Sequence, residues 1–208
     1  YYNKINKISK KVENVNYILK PQNTEFVGNF IDSFKFSTGK YIFFISDEDR
    51  FNFKNFAKLI GFLDENPDLI AVRPSISNAR GEKRQNAFKK ENRIFEKGYD
   101  ALVNFSIWNS YLTGMVYNRE KVIDLGLLKK LEKRFVKNRF YPHIYLDMLA
   151  SAKCRVATSS ISIATEGKAQ NINPGNLKEV FDDWENYYGP YTLGSRLDQF
   201  IVERDGLH

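Results

Sequence analysis

Gly39-Lys40-Tyr41-Ile42-Phe43-Phe44-Ile45-Ser46-Asp47-Glu48-Asp49 is the stretch on which the reading of this chain turns. Five consecutive apolar residues, Tyr41 to Ile45, form a run too short for a helix and without polar alternation, which predicts a strand buried on both faces. The run then breaks into Ser46 and three successive carboxylates. Ligands of open α/β sheets bind outside the carboxyl ends of the strands, so the carboxylates stand where a site is expected. In extended backbone Asp47 and Asp49 share one side and Glu48 points away. An Asp-x-Asp pair of that kind suits one hard divalent ion, Mg²⁺ or Mn²⁺, that keeps water and substrate phosphates as its other ligands. The same charges would also suit the N-terminus of a following helix.

Working outward, the chain alternates between helical and strand patterns. Upstream, Asn16 to Lys20 reads as a short strand closed by Pro21. Phe26, Phe30 and Phe34, spaced by four, predict one helical stripe, with Thr24 as its cap and Gly39 near its end. Downstream, Phe53, Phe56, Ile60 and Leu63 predict a helix that stops near Pro67, and Leu69 to Val72 the next strand. Strand, helix, strand, helix, strand over about 60 residues predicts an α/β domain with a mostly parallel sheet flanked by helices. Residues 75–98 are polar and basic and read as a surface loop. Tyr99 to Phe105 reads as helix and Tyr111 to Tyr117 as strand. Arg119 to Phe135 reads as one helix interrupted at Gly126 or as two. Ile144 to Ala152 reads as helix, and Arg155 to Ala164 as strand. The expected division is a domain over 1–168 and a helical extension over 169–208.

Composition supports a globular domain and closes several other routes. Of 208 residues, 42% are hydrophobic and 15% aromatic, enough for a core and too many for wholesale disorder. A single cysteine, Cys154, excludes an internal disulfide framework, and with only two histidines the usual zinc sites are out of reach. Cys154 lies in a strand-like stretch and reads as a core residue. No apolar run approaches the roughly 18 residues of a membrane span. As an EF-hand loop starting at Asp47, the chain would carry Asn52 in place of the invariant Gly and Lys58 in place of the final Glu. Neither a phosphate-binding P-loop nor a dinucleotide fingerprint is present, and there is no G-x-S-x-G nucleophile elbow. A formal charge of +7 favours anionic partners. One reading of that charge is a nucleic-acid module in which Arg73, Arg80, Lys83, Arg84, Lys89, Lys90 and Arg93 track phosphates while Phe88 or Phe95 stacks on bases. The carboxylate cluster argues against it, and nucleic acid is not the expected partner.

Two groups of residues carry a family resemblance. Asn23-x-x-Phe26-x-Gly28-Asn29 followed by Ser37 to Asp49 resembles the central motif of family 2 glycosyltransferases. Tyr111-Leu112-Thr113-Gly114-Met115-Val116-Tyr117-Asn118-Arg119 is similar to their acceptor-side strand. Within the family the look is that of bacterial enzymes building surface polysaccharides, including the abequosyltransferase-like group. The resemblance covers about residues 14–165 and implies a GT-A fold. It implies a nucleotide-sugar donor near Asn23, Gly28, Asn29, Asp47 and Glu48, and a divalent metal on Asp47 and Asp49. It also implies a glycan or lipid-diphosphate-linked acceptor near Thr113 and Gly114, with inversion at the transferred carbon. The family's first strand and its Asp-Gly-Ser-x-Asp turn have no counterpart, so an N-terminally incomplete GT-A domain is expected. An inactive GT-A-like partner subunit is a further alternative. The family's Glu-Asp pair falls, by spacing, near Tyr141-Pro142-His143. His143 and Asp147, four residues apart on one helical face, are both candidates for the base. The expected location is the cytoplasm, with or without peripheral contact with an anionic membrane at its inner face.

Overall fold

The computed structural model describes residues 2–78, 91–106, 111–134 and 142–167, together with residue 201. Helix α1 covers Tyr2–Ser9 and α2 Glu25–Phe36. Strands β1 (Tyr41–Phe43) and β2 (Arg50–Phe51) follow, then a 3-10 turn at Phe53–Asn55 and α3 (Phe56–Glu65). Next come β3 (Ala71–Ser77), β4 (Arg93–Phe95) and α4 (Tyr99–Ala101), which continues as π-helix through Leu102–Ser106. Then β5 (Val116–Asn118), α5 (Arg119–Asp124), α6 (Leu127–Arg134), α7 (Pro142–Lys153) and β6 (Val156–Thr165) complete the described elements.

One mixed sheet runs in the order β1-β5-β3-β6-β2, with β4 also paired to β6. The expected α/β sheet flanked by helices is present, but its pairing is not mostly parallel. Only β3 and β6 pair in parallel; the other four pairings are antiparallel. The physical reason is insertion. Strands β1, β3 and β6 do point the same way, as helix crossovers require, but β5 lies inverted between β1 and β3. Pro74 lies within β3, where it has no N–H to donate, and the β3–β6 register slips on either side of Ser75.

Two cores cover the two faces. On one, α2, α6 and α7 bury Phe30, Phe34, Ile42, Phe44, Tyr117 and Leu146. Here Phe30 stacks on Phe44 at 4.7 Å between ring centroids and meets Phe34 edge-on at 5.4 Å. On the other face α3 buries Leu59 and Leu63 against Val72, Val116 and Ala157, with Tyr41 and Phe43 packed alongside. The run at 41–44 is therefore covered on both faces as its composition requires, and Ile45 is the first residue to emerge, at 43% exposure. The α3 stripe is rotated from its predicted face: Leu59 and Leu63 are buried, while Phe53 is 79% exposed.

Several expectations are corrected. Residues 15–20 form no strand: Ile18 and Leu19 stay exposed, and no ladder partner lies beside them among the described residues. Helix α1 carries no signal that was read as helix. The loop expected over 75–98 is strand at both ends, Ser75–Ser77 in β3 and Arg93–Phe95 in β4. Strand β5 starts only at Val116, because Gly114 takes a positive φ of 87° and turns the backbone before it. Gly126, φ 68°, divides α5 from α6, deciding for two helices. Cys154 sits at the bend after α7, partly buried against the core, rather than in a strand. The helical extension expected over 169–208 lies outside the described residues apart from residue 201, which is helical.

Candidate active site at the carboxyl edge of the sheet

The chain leaves β1 at one border of the sheet and re-enters it as β2 at the other, four strand positions away. At about 4.8 Å per strand this is a crossing of roughly 19 Å, and seven residue steps at ~3.3 Å can span it. Residues 44–49 must therefore pass across the ends of β5, β3 and β6. They do so as a turn rather than as extended chain, with the Asp49 N–H donating to the Ser46 carbonyl at 3.1 Å. The alternation expected for Asp47, Glu48 and Asp49 fails for that reason. Asp47 and Glu48 are close enough for the Asp47 carboxyl to shift that of Glu48. A backbone hydrogen bond lowers the Glu48 carboxyl, but the interaction with Asp47, partial burial and the charges of Asp49 and Asp47 together leave it raised.

Asp49 is held from three separate segments. The Tyr111 hydroxyl donates to its Oδ2 at 2.9 Å, the Gly167 N–H to its Oδ1 at 2.8 Å, and the Thr113 hydroxyl to Oδ2. Thr113 Oγ1 in turn accepts from the Ser46 N–H at 2.8 Å, which ties the loop to the segment before β5. Gly167 follows the end of β6, and its backbone approaches so closely that a Cβ would collide with the Glu48 carbonyl oxygen. Only glycine fits there. Gly114 has its own constraint, since a side chain at its positive φ would meet Ile76 Cγ2 at 3.2 Å. Tyr111 and Gly167 were not singled out in the sequence. Tyr111 stands two residues before Thr113 in a motif that was read as strand, and nothing local marks Gly167.

The N-termini of α2 and α7 reach the same edge, because each helix runs back along the sheet to the strand that follows it. His143, in the first turn of α7, meets Phe26 edge-on at 5.9 Å and Phe30 at 6.4 Å. At the start of α2, Thr24 makes no capping hydrogen bond to the helix backbone. Its hydroxyl accepts from Lys20 Nζ at 2.6 Å and donates to Asn29 Oδ1 at 3.2 Å. Thr24 also closes over Gly28, where a Cβ would strike it. Asn23 and Asn29 are exposed. Asn29, Asp32, Ser33 and residues 41–45 line a cavity of about 750 Å³ beside β1. The structure thus gathers Asp47, Glu48, Asp49, Thr113, Gly114, Asn23, Asn29 and His143 at one edge, with direct contact between Asp49 and Thr113.

Asp147 has a different setting. It is wholly buried, accepts from Arg73 Nη2 at 2.8 Å and from the Tyr117 hydroxyl at 2.7 Å, and so spans two adjacent strands. Burial raises its carboxyl to about 6, with Arg73 and the two hydrogen bonds pulling the other way. Burial likewise lowers the Arg73 guanidinium to about 10. Arg73 also lies over the Phe105 ring at 4.8 Å. Both oxygens of this carboxylate are thus engaged inside the core. The interior position of Arg73 removes it from any phosphate-tracking row, and Phe95, 2% exposed, has no face to offer a base. Arg80, Lys83, Arg84, Phe88, Lys89 and Lys90 lie outside the described residues.

No group of three or more His, Cys, Asp or Glu side chains is arranged to hold a metal ion among the described residues. The donor set fits a divalent ion that uses only one or two protein carboxylates and completes its shell with water and phosphate. Asp47 and Glu48, whose neighbouring charges help raise the Glu48 carboxyl, are the pair a cation would relieve. Asp49, expected as a ligand, already accepts from three neutral donors. No helix among the described residues is long and apolar enough to cross a membrane.

No curated protein sequence matches the chain. The crystal structure of S. aureus TarS 1-349 superposes with a TM-score of 0.60 at 15% identity, covering 97% of this chain and 57% of that one. The crystal structure of S. aureus TarS gives 0.54 at 16% identity, with 99% and 35% covered. The chain thus spans little more than half of the first of these, and at such identities the likeness is one of fold. The profile described as glycosyl transferase family 2 matches residues 2–126, well over half of the chain, and covers the β1 run, the carboxylate turn and the Thr113-Gly114 segment. On that match this chain belongs to glycosyl transferase family 2.

Proposed function

We propose that the chain transfers a sugar from a nucleotide-sugar donor to a hydroxyl of a glycan or lipid-diphosphate-linked acceptor, with a divalent metal and with inversion. The observation that carries this reading is the carboxylate turn. Three acidic side chains lie across the strand ends, and among the described residues Asp49 is fixed there by the neutral donors of Tyr111, Thr113 and Gly167.

Asp47 and Glu48 would hold the metal, with Asp49 adding negative charge beside them. The ion, when bound, neutralises charge growing on the leaving diphosphate. Neutral donors fix Asp49 in place before substrate arrives, so little reorganisation is needed during the reaction. Thr113 and Gly114 lie beneath the acceptor in this reading, with the Thr113 hydroxyl holding Asp49 and the Ser46 N–H. In the chemical step the acceptor oxygen bonds to the anomeric carbon, the bond from that carbon to the diphosphate oxygen breaks with its electron pair, and the acceptor proton passes to the base. His143 is the base in this reading, because Asp147 is occupied by Arg73 and Tyr117. His143 is itself 1% exposed, and Phe26, 38% exposed and packed edge-on against it, is the side chain whose displacement would open it. Imidazole is a general base suited to neutral pH.

The test is calorimetry of the chain with uridine, guanosine, cytidine and deoxythymidine diphosphates, each with Mn²⁺ or with chelator. Binding that needs Mn²⁺ and weakens about tenfold or more in Asp47→Asn and Glu48→Gln is the expected result. Equal binding with chelator, or binding of none of the four, would overturn it.

A further inference from the structure

The buried network around Asp147 has a use beyond stability. A buried ion pair is weak evidence of stabilisation, since apolar residues of similar volume hold a core at least as well. What such a pair offers is direction. The rest of the buried face of α7 is aliphatic or small, with Ile144, Leu146, Met148, Leu149, Ala150 and Ala152. Apolar contact of that kind is non-directional and leaves a helix free to settle in neighbouring registers. Asp147 removes that freedom by meeting Arg73 of β3 at 2.8 Å and Tyr117 of β5 at 2.7 Å. Both partners are themselves confined: Arg73 by the Phe105 ring, and Tyr117 by the rings of Phe30, Phe34 and Phe44 at 5.8–6.2 Å.

His143 stands one helical turn before Asp147, on the same face. It is the residue of α7 nearest the carboxyl edge that also touches α2, through Phe26 and Phe30. We propose that Arg73, Tyr117 and Asp147 are positioning residues that set the register of α7 on the sheet and so hold the His143 imidazole at the edge where the carboxylate turn lies. The role in turnover rests on the reading of His143 as base; the positioning itself does not.

The chain has two histidines, His143 and His208, so its imidazole resonances are few and a His208→Gln variant assigns them. The experiment compares these resonances in the 208-residue chain with those in Tyr117→Phe and Asp147→Asn. Tyr117→Phe keeps the ring, and with it the ring's effect on neighbouring signals, while deleting one hydrogen bond to Asp147. The expected result is a displaced or broadened His143 signal in both variants, with amides of α3 and β2 unmoved. In a form that turns over a nucleotide-sugar, kcat falls about tenfold at nearly constant KM, as for an interaction made in the transition state only. If Asp147→Asn fails to fold, Tyr117→Phe decides alone. An unmoved His143 signal in a folded variant overturns the proposal. A moved signal in a protein that turns over no nucleotide-sugar leaves the positioning role standing and removes the transferase reading instead.

Discussion

Two aspartates in this molecule are each held by a tyrosine hydroxyl, and they differ in everything else. Asp147 lies wholly inside the core and has a cation of its own, Arg73, at 2.8 Å. Asp49 lies half-buried at the sheet edge and accepts from Tyr111, Thr113 and the Gly167 N–H, all neutral. A charge taken out of water needs an opposite charge beside it, whereas one at the rim can rely on dipoles and solvent. The interior aspartate thus has its countercharge inside the core, whereas the donors that hold the edge aspartate among the described residues are all neutral.

The sharpest way to break the comparison is to remove the interior cation. Arg73→Met should cost about 3–5 kcal/mol in chemical denaturation, because Asp147 would be buried without its partner. A loss below 1 kcal/mol would mean that Asp147 is neutral in the folded protein and needs no cation. Gly167→Ala should come next. The added methyl must displace the Glu48 carbonyl and with it the N–H that holds Asp49, at about 1–3 kcal/mol of overpacking. Its larger mark should be on Mn²⁺-dependent nucleotide diphosphate binding, measured by calorimetry.

Thr113→Val should be milder for stability, about 1 kcal/mol. It removes both the donor to Asp49 and the acceptor for the Ser46 N–H, so amide exchange at Ser46 should quicken while Tyr117 and Asp147 are unaffected. Exchange at Ser46 that stays as slow as in the wild type would show that Thr113 does not hold the turn. Stability should also depend on pH through Asp147. Its folded value, about 6, lies above the value near 4 of an unfolded aspartate. The proton is therefore bound more tightly by the folded state. The stability it contributes is full below about pH 4 and is lost as pH rises through 6. A carboxyl-carbon titration with its midpoint near 6 for Asp147 would match; a midpoint at or below 4 would show that Arg73 outweighs burial.

Much of the fold was legible because it depends on local pattern. The Phe26, Phe30, Phe34 stripe, the doubly covered run at 41–44 and the break at Gly126 each follow from spacing or from glycine's freedom. Misreadings came where a distant segment decided the outcome. Residues 15–20 have strand composition but lack a neighbour to pair with. Strand β5 was placed in its general region but not in its inverted slot between β1 and β3. An isolated arginine in the apolar run Ala71-Val72-Arg73 was a visible signal of an interior ion pair, yet it was assigned to a surface row.

The sequence by itself determined that a buried strand delivers three carboxylates to the end of a sheet, because hydrophobic runs and charge clusters act over a few residues. It also determined membership of the family, through a match over residues 2–126. Only the tertiary structure decided which groups each carboxylate meets. Residues 46–49 form a turn closed by the Asp49 N–H on the Ser46 carbonyl, so the three carboxylates do not alternate as they would in a strand. Tyr111, Thr113 and Gly167 meet Asp49 from positions 62 to 118 residues away in the chain. Arg73 stands 74 residues from Asp147 and Tyr117 30 residues from it, and burial at that meeting point moves the Asp147 carboxyl. Burial and hydrogen bonding depend on which groups come together in space, and sequence separation carries no record of that.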